Sequence, residues 1–165
     1  MKHSTLLVAA LIIGITLAFS NVFSQTSYSF NEGLNKAKSQ NKKALINICI
    51  DSDNWCKKMS SVYGTDKIKS LIEKYFIYIK LNAQGSEKYK YNGKEYTASE
   101  LAKQFGVTGY PTHVFLNSDG NVISFKYNGE VIGNFPGYAD ENDFENILKY
   151  FSENKYKDTD LSTVL

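Results

Sequence analysis

The segment Ala44-Leu45-Ile46-Asn47-Ile48-Cys49-Ile50, followed by Asp53-Asn54-Trp55-Cys56-Lys57-Lys58-Met59, decides the fold of this chain. The first segment is almost continuously apolar and has the length of a strand, a pattern typical of a β-strand covered on both faces. Asp53 is a good N-cap residue, because its carboxylate can accept hydrogen bonds from the free N–H groups that begin a helix. The sequence therefore predicts a buried strand, a turn and a helix that ends near Tyr63.

Further helices and strands are predicted on both sides of this unit. Capping residues predict helices that begin near Ser29, Thr65, Thr97 and Asp140. Apolar runs predict strands at Phe76–Leu81, Thr112–Leu116 and Val122–Tyr127, the last two paired as a hairpin. We expect a polar loop over Gln84–Glu95 and a frayed tail from Ser152. The resulting order, α-β-α-β-α-β-β-α, indicates an α/β fold with a central mixed sheet flanked by helices.

Residues 1–24 have the features of a secretory signal peptide. The apolar stretch Leu6–Phe19 follows a basic start and is shorter than the ~20 residues that a membrane span needs. We expect cleavage before Gln25, which leaves residues 25–165 as a single exported domain, periplasmic or secreted, with its core at about residues 29–151. Cleavage after Ser20 and an uncleaved signal anchor are the alternatives.

Composition limits the possible partners and cofactors. The formal net charge of the 165-residue chain is +2, which argues against nucleic acid and, after signal cleavage, against an anionic membrane surface. All 19 basic residues are lysines, so bidentate guanidinium clamps are not available. His113 has no Cys or His at metal-ligand spacing and is expected to be an inert strand residue. The sequence predicts neither a metal nor a cofactor, and it does not indicate the oligomeric state.

Three separated segments carry a family resemblance. The strand, turn and helix around Cys56 are the first, Phe105-Gly106-Val107-Thr108-Gly109-Tyr110-Pro111-Thr112 is the second, and Gly120 with Gly137-Tyr138 is the third. Together they resemble thioredoxin-fold proteins, and are most similar to periplasmic thioredoxin-related proteins of the sulfur-oxidation type. The resemblance implies a cis Tyr110–Pro111 bond and a main chain beside it that can pair with an extended peptide. Trp55, beside Cys56, is either an exposed aromatic contact for a partner or a ring that packs over the start of the helix.

The same resemblance shows two departures from redox chemistry. A Cys-x-x-Cys motif would place its first cysteine at residue 53, where this chain has Asp53, so only Cys56 remains. Asn47 stands where the family typically has a buried Asp that exchanges a proton with the second cysteine, and an amide cannot do this at ordinary pH. Cys49 could pair with Cys56, but we expect the strand to run outward from Cys49 before the helix returns, which would make Cys49 a small core residue.

Three functions are compatible with these residues. The first is thiol–disulfide homeostasis by an exported protein with a degenerate Asp53-Asn54-Trp55-Cys56 site, in which Cys56 forms mixed disulfides with protein or small-molecule thiols. The second is a redox-inactive, chaperone-like module that binds extended peptide through Asp53, Trp55 and Tyr110-Pro111. The third is an active oxidoreductase that uses Cys49 and Cys56. The reactivity of the two sulfurs distinguishes them.

The signal-peptide interpretation predicts a mature protein that begins at Gln25, because Val22 and Ser24 provide small side chains before the cleavage point. The intact mass of exported protein tests this prediction. A mass that retains Leu6–Phe19 would indicate a membrane-tethered protein instead.

Overall fold

A computed structural model describes residues 25–165, so the predicted signal peptide lies outside the described residues. The helices are α1 (Phe30–Gln40), α2 (Asn54–Tyr63), α3 (Asp66–Tyr75), α4 (Ala98–Gln104) and α5 (Glu141–Ser152). The strands are β1 (Lys43–Cys49), β2 (Phe76–Asn82), β3 (Lys88–Tyr91), β4 (Lys94–Thr97), β5 (Thr112–Leu116), β6 (Phe125–Tyr127), β7 (Glu130–Ile132) and β8 (Phe135–Pro136). Within residues 25–165, no helix has both the length and the hydrophobicity of a membrane span.

Four strands form the central sheet in the order β2-β1-β5-β8. β1 is parallel to β2 and antiparallel to β5, and β5 is antiparallel to β8. The predicted mixed sheet between helical layers is therefore confirmed. β1 lies in its middle, which explains why this strand is almost entirely apolar.

Alternating side chains of the central strands enter two separate hydrophobic cores. One core lies between the sheet and helices α2, α3 and α5, and includes Leu45, Met59, Tyr78, Phe115, Phe144 and Phe151. The other lies between the opposite face of the sheet and helices α1 and α4, and includes Phe30, Ile46, Ile48, Ile79, Leu101 and Val114. In β1, the odd-numbered residues face α2, because successive side chains of a strand point to opposite faces.

The prediction of a polar loop over Gln84–Glu95 was wrong, because β3 and β4 form a hairpin there. Asn92 and Gly93 both have positive φ, as a tight two-residue hairpin turn requires. The tyrosines of β3 alternate with lysines and bury their rings, each with its centroid 5.7 Å from that of Phe30. Lysine and tyrosine in alternation therefore marked one buried face of a strand.

Val122–Tyr127 was also predicted incorrectly. Only a single bridge joins Val122 to Leu116, while β6 turns at Asn128-Gly129 and pairs with β7 in a separate two-stranded sheet. The fourth strand of the central sheet is instead β8, which has two residues and no recognisable apolar pattern in the sequence.

The polar tail does not fray. Two short 3-10 helices, Lys155–Lys157 and Leu161–Thr163, follow α5, and Leu161 is fully buried. The Asp160 carboxylate accepts hydrogen bonds from the backbone N–H groups of Asn128 and Gly129 at 3.1 and 2.7 Å, which attaches the tail to the β6–β7 turn.

Candidate functional site

A disulfide joins Cys49, the last residue of β1, to Cys56 in the first turn of α2. The Cα atoms are 5.8 Å apart, within the usual range for a disulfide. The expectation that Cys49 is an unpaired core residue was wrong for two reasons. Its odd position in β1 directs the side chain toward α2, and the turn closed by the hydrogen bond from Asp53 N to Ile50 O (3.2 Å) returns the chain at once.

Asp53 caps α2 as predicted. Its Oδ1 accepts a hydrogen bond from the backbone N of Cys56 at 2.8 Å, so the residue at the first position of the motif has a structural role. Cys56 is the more buried of the two cysteines, with 7% of its surface exposed, whereas Cys49 is only partly buried. Asn54 and Trp55 lie on the exposed side of the helix start.

A row of polar side chains crosses the α2-facing side of the sheet beside the disulfide. Asn47 of β1 is the central member, because it is the register partner of Lys80 in β2 and of His113 in β5. Its Nδ2 donates to the Tyr78 hydroxyl at 3.3 Å, and its Oδ1 lies 3.4 Å from Cys49 Sγ. Since an oxidised sulfur carries no proton, the second contact becomes a hydrogen bond only after the disulfide is reduced.

His113 is more than an inert strand residue. Its Nδ1 lies 2.9 Å from the Tyr63 hydroxyl, and its Nε2 lies 3.2 Å from the carbonyl oxygen of Gly137. Because a carbonyl can only accept, Nε2 carries the proton and Nδ1 accepts from Tyr63 in the neutral ring. Burial lowers the pKa of His113 to about 4, the hydrogen bond to Gly137 opposing this only in part.

The neighbouring phenols are neutral as well. Burial raises the pKa of Tyr63 well above its usual value, with a smaller contribution from Tyr78, whose ring is stacked on it at 4.8 Å. Burial also raises the pKa of Tyr78. Together with the Asn47 amide, these groups form two uncharged hydrogen-bonded pairs at neutral pH, Asn47 with Tyr78 and Tyr63 with His113.

The predicted peptide-docking residues meet in one place. Trp55, Tyr110, Gly137 and Tyr138 line a groove of about 410 Å³, which we call the aromatic groove. Trp55 is 51% exposed, and its ring lies 5.6 Å from that of Tyr138. The Tyr110–Pro111 peptide bond is cis, and the Pro111 carbonyl accepts a hydrogen bond from Gly137 N at 2.8 Å.

A second opening exposes the disulfide itself. This disulfide groove has a volume of about 250 Å³ and shares no lining residue with the aromatic groove. Its walls contain both cysteines and several polar side chains: Asn47, Asp51, Lys57, Ser60 and Lys80.

Sequence reasoning missed several members of this site. Tyr138 was recognised only as part of a family pattern, and the Tyr63–His113 pair joins residues 50 positions apart. Lys80 carried a usable signal, because it is a lone charged residue in the apolar strand β2. A lysine at such a position indicates that the end of the strand is open to solvent on one side.

Comparison with known proteins is consistent with this architecture. The family model of the thioredoxin-like domain matches residues 30–152, and the chain belongs to this family. No curated protein sequence matches the chain.

Several solved structures share the fold. A thioredoxin-fold protein from Helicobacter pylori is 21% identical, with a TM-score of 0.58 over 86% of this chain and 84% of that one. A thioredoxin from Thermus thermophilus is 21% identical, with a TM-score of 0.56 over 78% and 87%. The oxidoreductase DsbH is 19% identical, with a TM-score of 0.50 over 79% and 81%. The predicted thioredoxin fold is therefore confirmed.

The neutral, buried His113 predicts a pH-dependent stability. The unfolded chain takes up a proton near pH 6.5 and the folded chain only near pH 4, so the free energy of unfolding decreases as the pH falls through this window. The loss attributable to His113 is on the order of 3 kcal/mol. Urea unfolding of the wild type and of His113→Gln between pH 7 and about pH 4 measures this difference.

The variant has no group that titrates at this position, so its stability should decline less steeply. Equal slopes for the two proteins would contradict the assignment of His113 as a buried neutral residue.

Proposed function

We propose that this protein is a thiol–disulfide oxidoreductase whose redox couple is Cys49 and Cys56. The observation that supports this most is the disulfide itself, which joins the end of β1 to the first turn of α2 and opens to solvent through its own groove. This function is the third of those that the sequence allowed. In it, Cys49 and Cys56 carry out the exchange together, whereas the first function used Cys56 alone.

The proposed exchange begins at Cys49, whose residue is the more exposed of the two. An incoming thiolate attacks Cys49 Sγ, forms a new S–S bond there and breaks the bond to Cys56. The electron pair of the broken bond goes to Cys56 Sγ. A second thiolate then attacks the mixed disulfide, releases Cys49 as a thiolate and leaves as the oxidised disulfide, so two thiols are oxidised for each disulfide reduced.

Neighbouring groups support the two sulfurs differently. Negative charge on Cys56 Sγ lies at the positive end of the α2 dipole, although the Asp53 carboxylate offsets part of this stabilisation. After reduction, the Cys49 thiol can donate a hydrogen bond to Asn47 Oδ1. Asn47 cannot accept a proton in acid–base exchange, so it does not act as the general base of the cycle.

The aromatic groove is the proposed docking site for protein substrates. Trp55, Tyr110 and Tyr138 provide apolar surface, and the main chain at the cis Tyr110–Pro111 bond provides an edge for an extended peptide. We propose disulfide-containing or thiol-containing extended peptides as partners of this surface.

A second candidate is the redox-inactive peptide-binding module. The observation that favours it is that neither sulfur lines the aromatic groove, so peptide could bind there without meeting the disulfide. In that case the disulfide would only hold the turn between β1 and α2.

We also propose that the protein is exported. The sequence of residues 1–24 supports export, and these residues lie outside the described part of the structure. Membership in the sulfur-oxidation type within the thioredoxin-like family stays a prediction.

Variants of the two cysteines test the redox couple. We expect wild-type protein to catalyse the reduction of a peptide disulfide by dithiothreitol, and both Cys49→Ser and Cys56→Ser to lose this turnover, because each lacks one sulfur of the cycle. Cys56→Ser should also accumulate a mixed disulfide at Cys49 faster than Cys49→Ser does at Cys56. Activity assays and intact-mass analysis of the trapped species measure these effects.

Full turnover in Cys49→Ser would show that Cys56 acts alone, as the sequence first indicated. No turnover in the wild type, with the peptide still bound, would instead support the binding module.

Substitutions in the aromatic groove test peptide docking. Tyr138→Ala should raise KM for a peptide disulfide roughly two- to tenfold, because an aromatic contact contributes about 0.5–1.5 kcal/mol. The matched control is Tyr75→Ala, which removes a tyrosine of similar exposure at the other end of the sheet. Equal KM values for the two variants would contradict docking in this groove.

A further inference from the structure

We propose that the disulfide groove is a binding site for low-molecular-weight thiols that carry an anionic group, and that these thiols reach Cys49 without passing the aromatic groove. This inference rests on the proposed function and specifies the class of small reductant or oxidant that the couple uses.

The two grooves lie on opposite sides of β1. Lys80, in the wall of the disulfide groove, belongs to β2, whereas Tyr110 and Gly137 of the aromatic groove flank β5 and β8. β1 separates β2 from β5 in the sheet. A small thiol can therefore approach the disulfide while the aromatic groove is occupied by peptide.

The charges of the disulfide groove favour an anion. Lys57 and Lys80 contribute two ammonium groups, and within residues 25–165 neither forms an ion pair with a carboxylate. Among the described residues, Asp51 is the one acidic residue in the wall, and its Oδ2 accepts a hydrogen bond from Asn82 Nδ2 at 2.9 Å, so two ammonium groups stand against one carboxylate. The excess positive charge raises the local concentration of anionic thiols and opposes cationic ones.

The position of Lys80 in the sheet places one of these two positive charges in the polar row beside the disulfide. Its register partner is Asn47, which places it on the α2-facing side of the sheet, in the same row as the amide that contacts Cys49 Sγ. The other residues of β2 between Phe76 and Leu81 are buried, and Lys80 alone is exposed.

The dimensions of the groove indicate a small molecule. Its volume of about 250 Å³ lies below the ~300–1,000 Å³ of pockets that hold drug-sized ligands. Ser60 and Ile50 also line it. An anionic thiolate R–S⁻ attacks Cys49 Sγ, Cys56 leaves with the electron pair, and a second R–S⁻ releases Cys49 and departs as R–S–S–R.

The test compares three thiols of different charge on the oxidised protein: 2-mercaptoethanesulfonate, 2-mercaptoethanol and cysteamine. Each rate constant for reduction is expressed per thiolate and divided by its rate with a neutral small-molecule disulfide, which removes differences in intrinsic nucleophilicity. We expect the sulfonate to exceed cysteamine by about fivefold at low ionic strength, and this ratio to fall toward one at high salt.

Adjacent lysines provide a matched control. Combined Lys57→Gln and Lys80→Gln substitutions should lower the ratio to near one, and Lys57→Glu with Lys80→Glu should reverse it. Lys58→Gln removes a charge of the same kind one residue away, but the Lys58 Nζ lies over the Trp55 ring at 4.2 Å and should not affect the ratio.

Other outcomes would overturn the inference. If the wild type reacts equally with all three thiols once the rates are corrected for intrinsic nucleophilicity, the groove has no charge selectivity. The assignment of Cys49 and Cys56 as the redox couple would not be affected by that result. If only Lys58→Gln removes the preference, small thiols enter on the side of Trp55. If no thiol reduces the folded protein, both this inference and the proposed function are wrong.

Discussion

The side-chain alternation of β1 is the constraint on which the site depends. Because residues 45, 47 and 49 share one face, the core residue Leu45, the amide of Asn47 and the sulfur of Cys49 all point toward α2. The tight turn capped by Asp53 then brings Cys56 within disulfide distance. A shift of one residue in this strand would direct Cys49 toward α1 and α4 and leave Cys56 without a partner.

We expect the fold to keep its integrity when the disulfide is reduced. The two cysteines are seven residues apart, and closing so short a loop stabilises a protein by less than about 3 kcal/mol in the chain-entropy model. β1 is held by strands on both sides, and α2 buries Met59 and Tyr63 in the core. These contacts do not involve the disulfide, so reduction can open the bond while the strand and the helix keep their places. A redox role requires this independence.

Local signals in the sequence were sufficient to predict most of the fold. The apolar run of β1, the Asp53 cap and the helical periodicity of α5 act within a few residues, and each element formed as expected. The position of β8 could not be predicted in this way, since two residues carry no pattern. The disulfide also lay beyond local reasoning, because the face of β1 that α2 covers is decided by packing across the whole sheet.

The candidate site shows the same division between local and tertiary information. Trp55, Cys56 and Tyr110-Pro111 were found from motifs, whereas His113 and Lys80 acquire their roles only when β1 brings them into one row. A buried histidine bonded to the main chain of the aromatic groove is a product of tertiary structure. Its neutrality, like that of Tyr63, follows from burial and not from any neighbour in sequence.

A redox titration of the folded protein shows whether Cys49 and Cys56 form a reversible redox couple. Trp55 is the only tryptophan and adjoins Cys56, so its fluorescence can report the state of the disulfide in buffers of defined dithiol–disulfide ratio. We expect a reversible two-electron curve, with a tenfold change in the ratio of reduced to oxidised protein for about every 30 mV. The far-UV circular dichroism spectrum should not change along this curve. Reduction that occurs only together with loss of the circular dichroism signal would contradict this expectation, and would show that the disulfide is purely structural.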